Sequence, residues 1–218
     1  MKIITAKNGM EQALHILHSG GVIAHATETC YGFACDLTNP DAIRKLFAIK
    51  HRPADQPVSA LFPDVDEAKK WVEWNDEASA LAKNHLPGPL TLILPLRKEM
   101  IGKIFLTSSQ AHKPVTRKPE TSKQSLGVRI SSHSVAMELA KRFGNPLSTT
   151  SANIHGRPNP YSTDEIEYQF STTNSPLSIR LLPDLILDSG TLPFVPPSTV
   201  IDLTGNSGNI VRTGIVKP

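Results

Sequence analysis

Apolar residues in this 218-residue chain come in short bursts, and the bursts alternate with stretches of helical period. VIAHA (22–26), VSALF (58–62), GPLTLILPL (88–96), LGVRI (126–130) and PLSTT (146–150) all have strand length. Between them, apolar positions recur at three- and four-residue steps. Met10, Leu14 and Leu17 mark a first helix with Asn8 as its expected cap and Gly20-Gly21 as its stop. Pro40 after Asn39 opens a second, which turns Ile43 and Phe47 inward and ends near Lys50. Further helices are expected over VDEAKKWVEW (65–74), DEASALAKNH (76–85) and SVAMELAKRF (134–143, ended by Gly144), and after the capping-box pair Ser162 and Glu165. Near the C-terminus DLILD, STVIDL and NIVRTG follow one another with no helical stretch between them. Interleaving followed by consecutive strands predicts an α/β fold with a mixed sheet covered by helices, not a purely doubly wound one.

The longest apolar runs fall well short of the ~20 residues of a membrane helix. The start, MKIITAKNG, lacks the apolar core of a secretory signal, so a cytoplasmic protein with no membrane association is expected. Cys30 and Cys35 then read as reduced thiols, and with no second Cys/His cluster at ligand spacing they give no metal site. The net charge of +3 permits an anionic partner without demanding one. Residues 107–125, TSSQAHKPVTRKPETSKQS, are polar, basic and poor in apolar groups, which predicts a mobile surface loop suited to closing over a bound nucleotide.

No phosphate loop, dinucleotide fingerprint or nucleophile elbow is present. What stands out is a scatter of small polar and basic residues at strand ends: Thr27 to Thr29, Lys50 with Arg52, Arg129, the run STTSAN at 148–153, Ser198-Thr199 and Arg212. Singly, each is an ordinary turn residue or surface charge. Together they suit an anion, because hydroxyls give short hydrogen bonds and convergent cations balance phosphate charge. Pro53 biases Arg52 toward extended backbone, in which Lys50 and Arg52 would project in parallel as a cationic clamp.

These segments resemble the YrdC/TsaC threonylcarbamoyl-AMP synthases. The resemblance rests on GGVIAHATETCYGFACDLTNPDAIRKLFAIKHRPADQPVSALF, LPGPLTLILPL, GVRI, LSTTSANIHGRPNP, STVIDLTG and IVRTGIV, in family order over nearly the whole chain. It implies a single YrdC-like domain over 1–218, a twisted mixed sheet flanked by helices, and a large positively charged cavity. It also implies the formation of threonylcarbamoyl-AMP and pyrophosphate from L-threonine, bicarbonate or CO2, and ATP carried with Mg2+. A downstream transferase complex would then place the threonylcarbamoyl group on adenosine 37 of tRNA, and weak RNA binding by the chain itself is compatible with its basic balance. By resemblance, Lys50 and Arg52 are catalytic. ATP falls to Lys50, Arg52, Gln56, Ser125, Ser151, Asn153, Asn159 and Arg212, and threonine to Thr29, Tyr31, Arg129, Thr149 and Ser198. Departures exist: Ala26 stands where the family has proline before TET, His25 replaces the preceding aromatic, and Leu61 replaces a frequent histidine. The alternative is a YciO-like RNA-binding or ribosome-maturation factor of the same fold, against which stand the intact Lys/Arg and Ser-Ala-Asn patterns and a scarcity of base-stacking aromatics.

Overall fold

The computed structural model describes residues 1–111, 124–171, 181–205 and 207–217. Ten strands form one twisted sheet: β1 (Lys2–Thr5), β2 (Ile23–Ala26), β3 (Tyr31–Ala34), β4 (Ser59–Leu61), β5 (Leu90–Pro95), β6 (Ser125–Arg129), β7 (Leu147–Ser151), β8 (Leu185–Asp188), β9 (Thr199–Asp202) and β10 (Asn209–Arg212). Their spatial order is β1-β8-β2-β3-β7-β4-β6-β5-β9-β10. Parallel pairs (β1 with β8, β8 with β2, β4 with β6, β5 with β9) occur together with antiparallel ones (β2 with β3, β3 with β7, β7 with β4, β6 with β5, β9 with β10), so the expected mixed sheet is present. Strand β7 joins the two halves, pairing through Leu147–Thr149 with β4 and through Thr150 and Ser151 with β3.

Helices α1 (Ala6–His18), α2 (Pro40–Lys50), α3 (Val65–Lys69), α4 (Asp76–His85), α5 (Ser108–Ala111), α6 (Ser134–Phe143) and α7 (Thr163–Ser171) cover the sheet. Alternate strand residues feed opposite layers. Ile23, Leu185 and Leu187 pack with Leu14 and Leu17 of α1 and Leu139 and Phe143 of α6, whereas Ala24 and Ile186 pack with Ile43, Leu46 and Phe47 of α2. Burial on both faces explains why these strands read as continuous apolar runs. Asn39 caps α2 through Asp41 N–H at 2.9 Å, and Gly144 ends α6 at φ +85°, both as expected.

Three local expectations change. α1 begins at Ala6, so Asn8 lies inside it and does not cap it; KIIT before it is the edge strand β1. Ser162 Oγ accepts from Glu165 N–H as a capping box requires, but Glu165 returns to Tyr161 N–H, one residue early. The segment expected to be a loop from 107 starts as the helical turn α5, held where Ser109 N–H donates to Ala54 O at 2.9 Å. Residues 112–123, the remainder of the expected lid, lie outside the described residues. Among the described residues no helix is long and apolar enough to cross a membrane.

His25 on β2 is fully buried, with Nδ1 3.0 Å from Ala26 O and Nε2 without a partner among the described residues. Burial pulls its pKa from 6.5 down to about 4. Between those values the unfolded chain takes up a proton that the folded one refuses, so stability falls as pH drops through that window. At pH 4.5 the expected loss from this residue is about 2–3 kcal/mol relative to pH 7. Urea melts at both pH values check it: His25→Leu should show a smaller acid loss than the wild type, and equal losses would rule this contribution out.

Candidate functional site

One sheet face is only partly covered. Where Ala34, Leu61 and Leu147 lie beneath the α1–α6 layer the face is apolar. Two residues along the same strands, and on the same face, stand Gly32, Ser59 and Thr149, which are small or polar and line an open cleft of about 390 Å3. Period two continues across the floor: Thr91 and Ile93 on β5, Ser125, Gly127 and Arg129 on β6, Thr149 and Ser151 on β7, and Ser198 and Val200 at β9. The floor is tight, since a Cβ on Gly127 would lie 2.4 Å from Ser59 Oγ. Among the described residues Arg52, Arg129 and Arg212 are the charged ones in the lining, and no carboxylate joins them there.

Arg129 is 4% exposed. Its Nη2 donates to Glu28, whose other oxygen accepts from Ser131 Oγ, while Nη1 is buried without a partner among the described residues. A buried guanidinium with one edge ion-paired and the other unsatisfied on a cleft wall is suited to a carboxylate ligand. Thr29 stands in a turn closed by Thr27, whose Oγ1 donates to Cys30 O at 2.6 Å. At the far side Arg212 donates through Nη2 to Ser198 Oγ at 2.8 Å.

Arg52 donates to Gln56 O at 3.1 Å and to Pro57 O at 2.9 Å, leaving Nη1 without a partner among the described residues. Lys50 does not run parallel to it. His51 takes φ +51° and closes α2, so Lys50 stays on the helix while Arg52 leaves toward the cleft. The Lys50 ammonium is 1% exposed and donates to Ser151 O, to Asn153 O at 2.9 Å and to Asn153 Oδ1 at 3.0 Å. Burial, with Arg52 nearby, pulls its pKa from 10.5 to about 7, while three acceptors match the three donors of the charged form.

Of the expected residues, Thr29, Arg52, Ser125, Arg129, Thr149, Ser151, Asn159, Ser198 and Arg212 meet at this cleft. Lys50 and Asn153 stand behind its wall. Asn153 is used inward, its Oδ1 accepting from Ser151 Oγ at 2.6 Å and its Nδ2 donating to Arg157 O. Tyr31 is a correction: it is fully buried, its hydroxyl donates to Gly190 O at 2.8 Å, and it turns away from the cleft. Gln56 is another; its side chain is exposed, and what it offers is the carbonyl that orients Arg52. Thr91, Ile93, Ser59 and Gly127 line the cleft without having stood out in the sequence. The cysteines are free and buried; Cys30 reaches the lining, where burial pushes its thiol up to about 11 and keeps it protonated. A larger hollow of about 640 Å3, between Trp71 and Met137, holds none of the expected residues.

The Sua5/YciO/YrdC family, described as "Telomere recombination", matches residues 15–214. The chain belongs to this family. Similar members include threonylcarbamoyl-AMP synthases of Vibrio campbellii, 33% identical over 73% of this chain and 80% of the relative, and of Idiomarina loihiensis, 30% identical over 89% and 94%. Among solved structures, P. abyssi Sua5 complexed with L-threonine superposes with a TM-score of 0.80 at 27% identity, covering 98% of this chain and 58% of the longer Sua5 chain. E. coli YciO superposes at 0.77 with 25% identity over 99% of this chain and 96% of its own. The fold is thus common to both branches, and the cleft residues have to separate them.

Proposed function

We propose that this member of the family is an L-threonylcarbamoyladenylate synthase, taking L-threonine, bicarbonate or CO2 and the magnesium salt of ATP. The observation that carries the reading is the buried Arg129 with its unpartnered Nη1 on the wall of a hydroxyl-rich cleft that also holds Arg52 and Arg212. The names of the relatives and the threonine in the P. abyssi Sua5 structure support the same substrates.

In this reading the threonine amine adds to CO2 and loses a proton, giving a carbamate. A carbamate oxygen attacks the α-phosphorus of ATP, and pyrophosphate leaves with the bond's electron pair. No side chain forms a covalent bond, so a protonated Cys30 is no obstacle. The protein's part is to hold two mutually repelling anions in reach and to stabilise the charge that grows on the leaving group. Arg129 takes the threonine carboxylate beside Thr29, Thr149 and Ser198. Arg52, Ser151, Asn159, Ser125 and Arg212 face the nucleotide, and Lys50 acts through the Ser151–Asn153 turn that it holds. The product is a labile mixed anhydride, to be consumed by a transferase that acylates the tRNA adenosine.

Pyrophosphate release with each reactant omitted in turn tests the reading. Release should fall to background without threonine and without bicarbonate. ATP breakdown indifferent to both would leave the reading without support.

A further inference from the structure

Thr91 interrupts the apolar strand β5, and nothing in its sequence context distinguishes it. In the fold it occupies the middle of the cleft floor. It pairs directly across the strands with Arg129 on β6 and on its other side with Val200 of β9, next to Ser198. Directly opposite residues share a face at a Cβ separation of about 5 Å. By register the row across the floor runs Arg129, Thr91, Val200, Arg212, and Ser198, two residues before Val200, bridges Thr91 and Arg212 through its hydroxyl.

Hydrogen-bond direction along that row leaves one proton over. A guanidinium only donates, so Ser198 Oγ accepts from Arg212 Nη2 at 2.8 Å. Ser198 and Thr91 hydroxyls lie 3.1 Å apart, and one donates to the other. Two hydroxyl protons share this single contact, so one of them has no acceptor among the described residues. With Ser198 already accepting from a cation, its own proton is the more acidic and points to Thr91, which leaves the Thr91 proton over. Thr91 is 4% exposed and lines the cleft, where the spare proton is available to a bound ligand. On the neighbouring strand the directly opposite residue, Arg129, keeps its Nη1 without a partner among the described residues. Spare donors on two directly paired residues of the cleft lining suit an anionic acceptor.

We propose that Thr91 is a further substrate-binding residue, whose hydroxyl donates to the carboxylate of L-threonine while Arg129 takes its charge. The assignment rests on the synthase reading and adds a contact to it. A hydrogen bond to a charged group is worth about 1.5–3 kcal/mol, on the order of 10–100-fold in binding.

The test uses Thr91→Val, which keeps the branched shape and removes only the hydroxyl, with L-threonine binding by calorimetry beside steady-state pyrophosphate release. The expected result is weaker threonine binding and a higher KM for threonine, each by about tenfold or more, with KM for ATP unchanged. Thr91→Ser, which restores the hydroxyl, should recover most of that affinity. A purely structural role predicts a lower melting temperature with threonine binding and KM as in the wild type, and that result overturns the proposal. An effect confined to the bicarbonate KM overturns it too, by assigning the donor to the other anion. A wild type that binds threonine but releases no pyrophosphate would count against the synthase reading alone, because the calorimetric comparison still decides Thr91.

Discussion

Lys50→Ala is expected to lose stability and activity together. The ammonium is buried and holds Ser151 O, Asn153 O and Asn153 Oδ1, while its own carbonyl accepts from His155 N–H at 2.7 Å. Truncation strands two buried carbonyls, each worth about 1–3 kcal/mol, takes from Asn153 Oδ1 one of its two donors, and opens a cavity behind the wall. A total on the order of 4 kcal/mol or more is a large part of a typical domain's 5–15 kcal/mol. At this chain length it lowers the melting temperature by roughly 8–16 °C. Activity should vanish as well, since the turn that presents Ser151 loses its support. Lys50→Met, which keeps the stem, should recover part of the melting temperature but not the activity. A Lys50→Ala melt within about 2 °C of wild type would show that the ammonium does not hold the turn.

The second large effect is at Arg129. Side-chain exposures of 5% and 15% make the Arg129–Glu28 pair a buried one. Removing one partner of such a pair costs about 3–5 kcal/mol, because the other charge is left unpaired, whereas removing both is often nearly neutral. Arg129→Met should therefore destabilise by about that amount and abolish detectable threonine binding. The Glu28→Gln/Arg129→Met double variant should regain most of the stability and none of the binding. Chemical denaturation with threonine calorimetry separates the two. Binding restored in the double variant would remove Arg129 from the substrate site.

How much of this was legible in the sequence depended on how local each cause was. Asn39-Pro40, Gly144 and the period-two runs act within a few residues, and the elements they announce are present. Asn8 announced a cap, but the chain was already helical from Ala6, packed against β1, β8 and β2 of the sheet, so packing overrode a good capping residue. The parallel Lys50–Arg52 clamp failed for a backbone reason: a left-handed His51 separates the two side chains, and Lys50 finds its acceptors about a hundred residues away on the β7 turn. Tyr31 follows the same lesson, with its hydroxyl partners beyond β8. Thr91 was hidden because Leu90, Leu92 and Leu94 supply a core face that dominates the strand's composition. Its cross-strand register with Arg129 and its hydroxyl contact with Ser198 mark it as part of the cleft.

The central claim is that this cleft joins threonine, a one-carbon anion and the α-phosphate of ATP. Mass spectrometry of the nucleotide product formed with isotopically labelled bicarbonate tests it most directly. The expected product is an adenylate that carries both threonine and the bicarbonate label, formed in step with pyrophosphate. Pyrophosphate or AMP appearing without a labelled threonyl adenylate would contradict it.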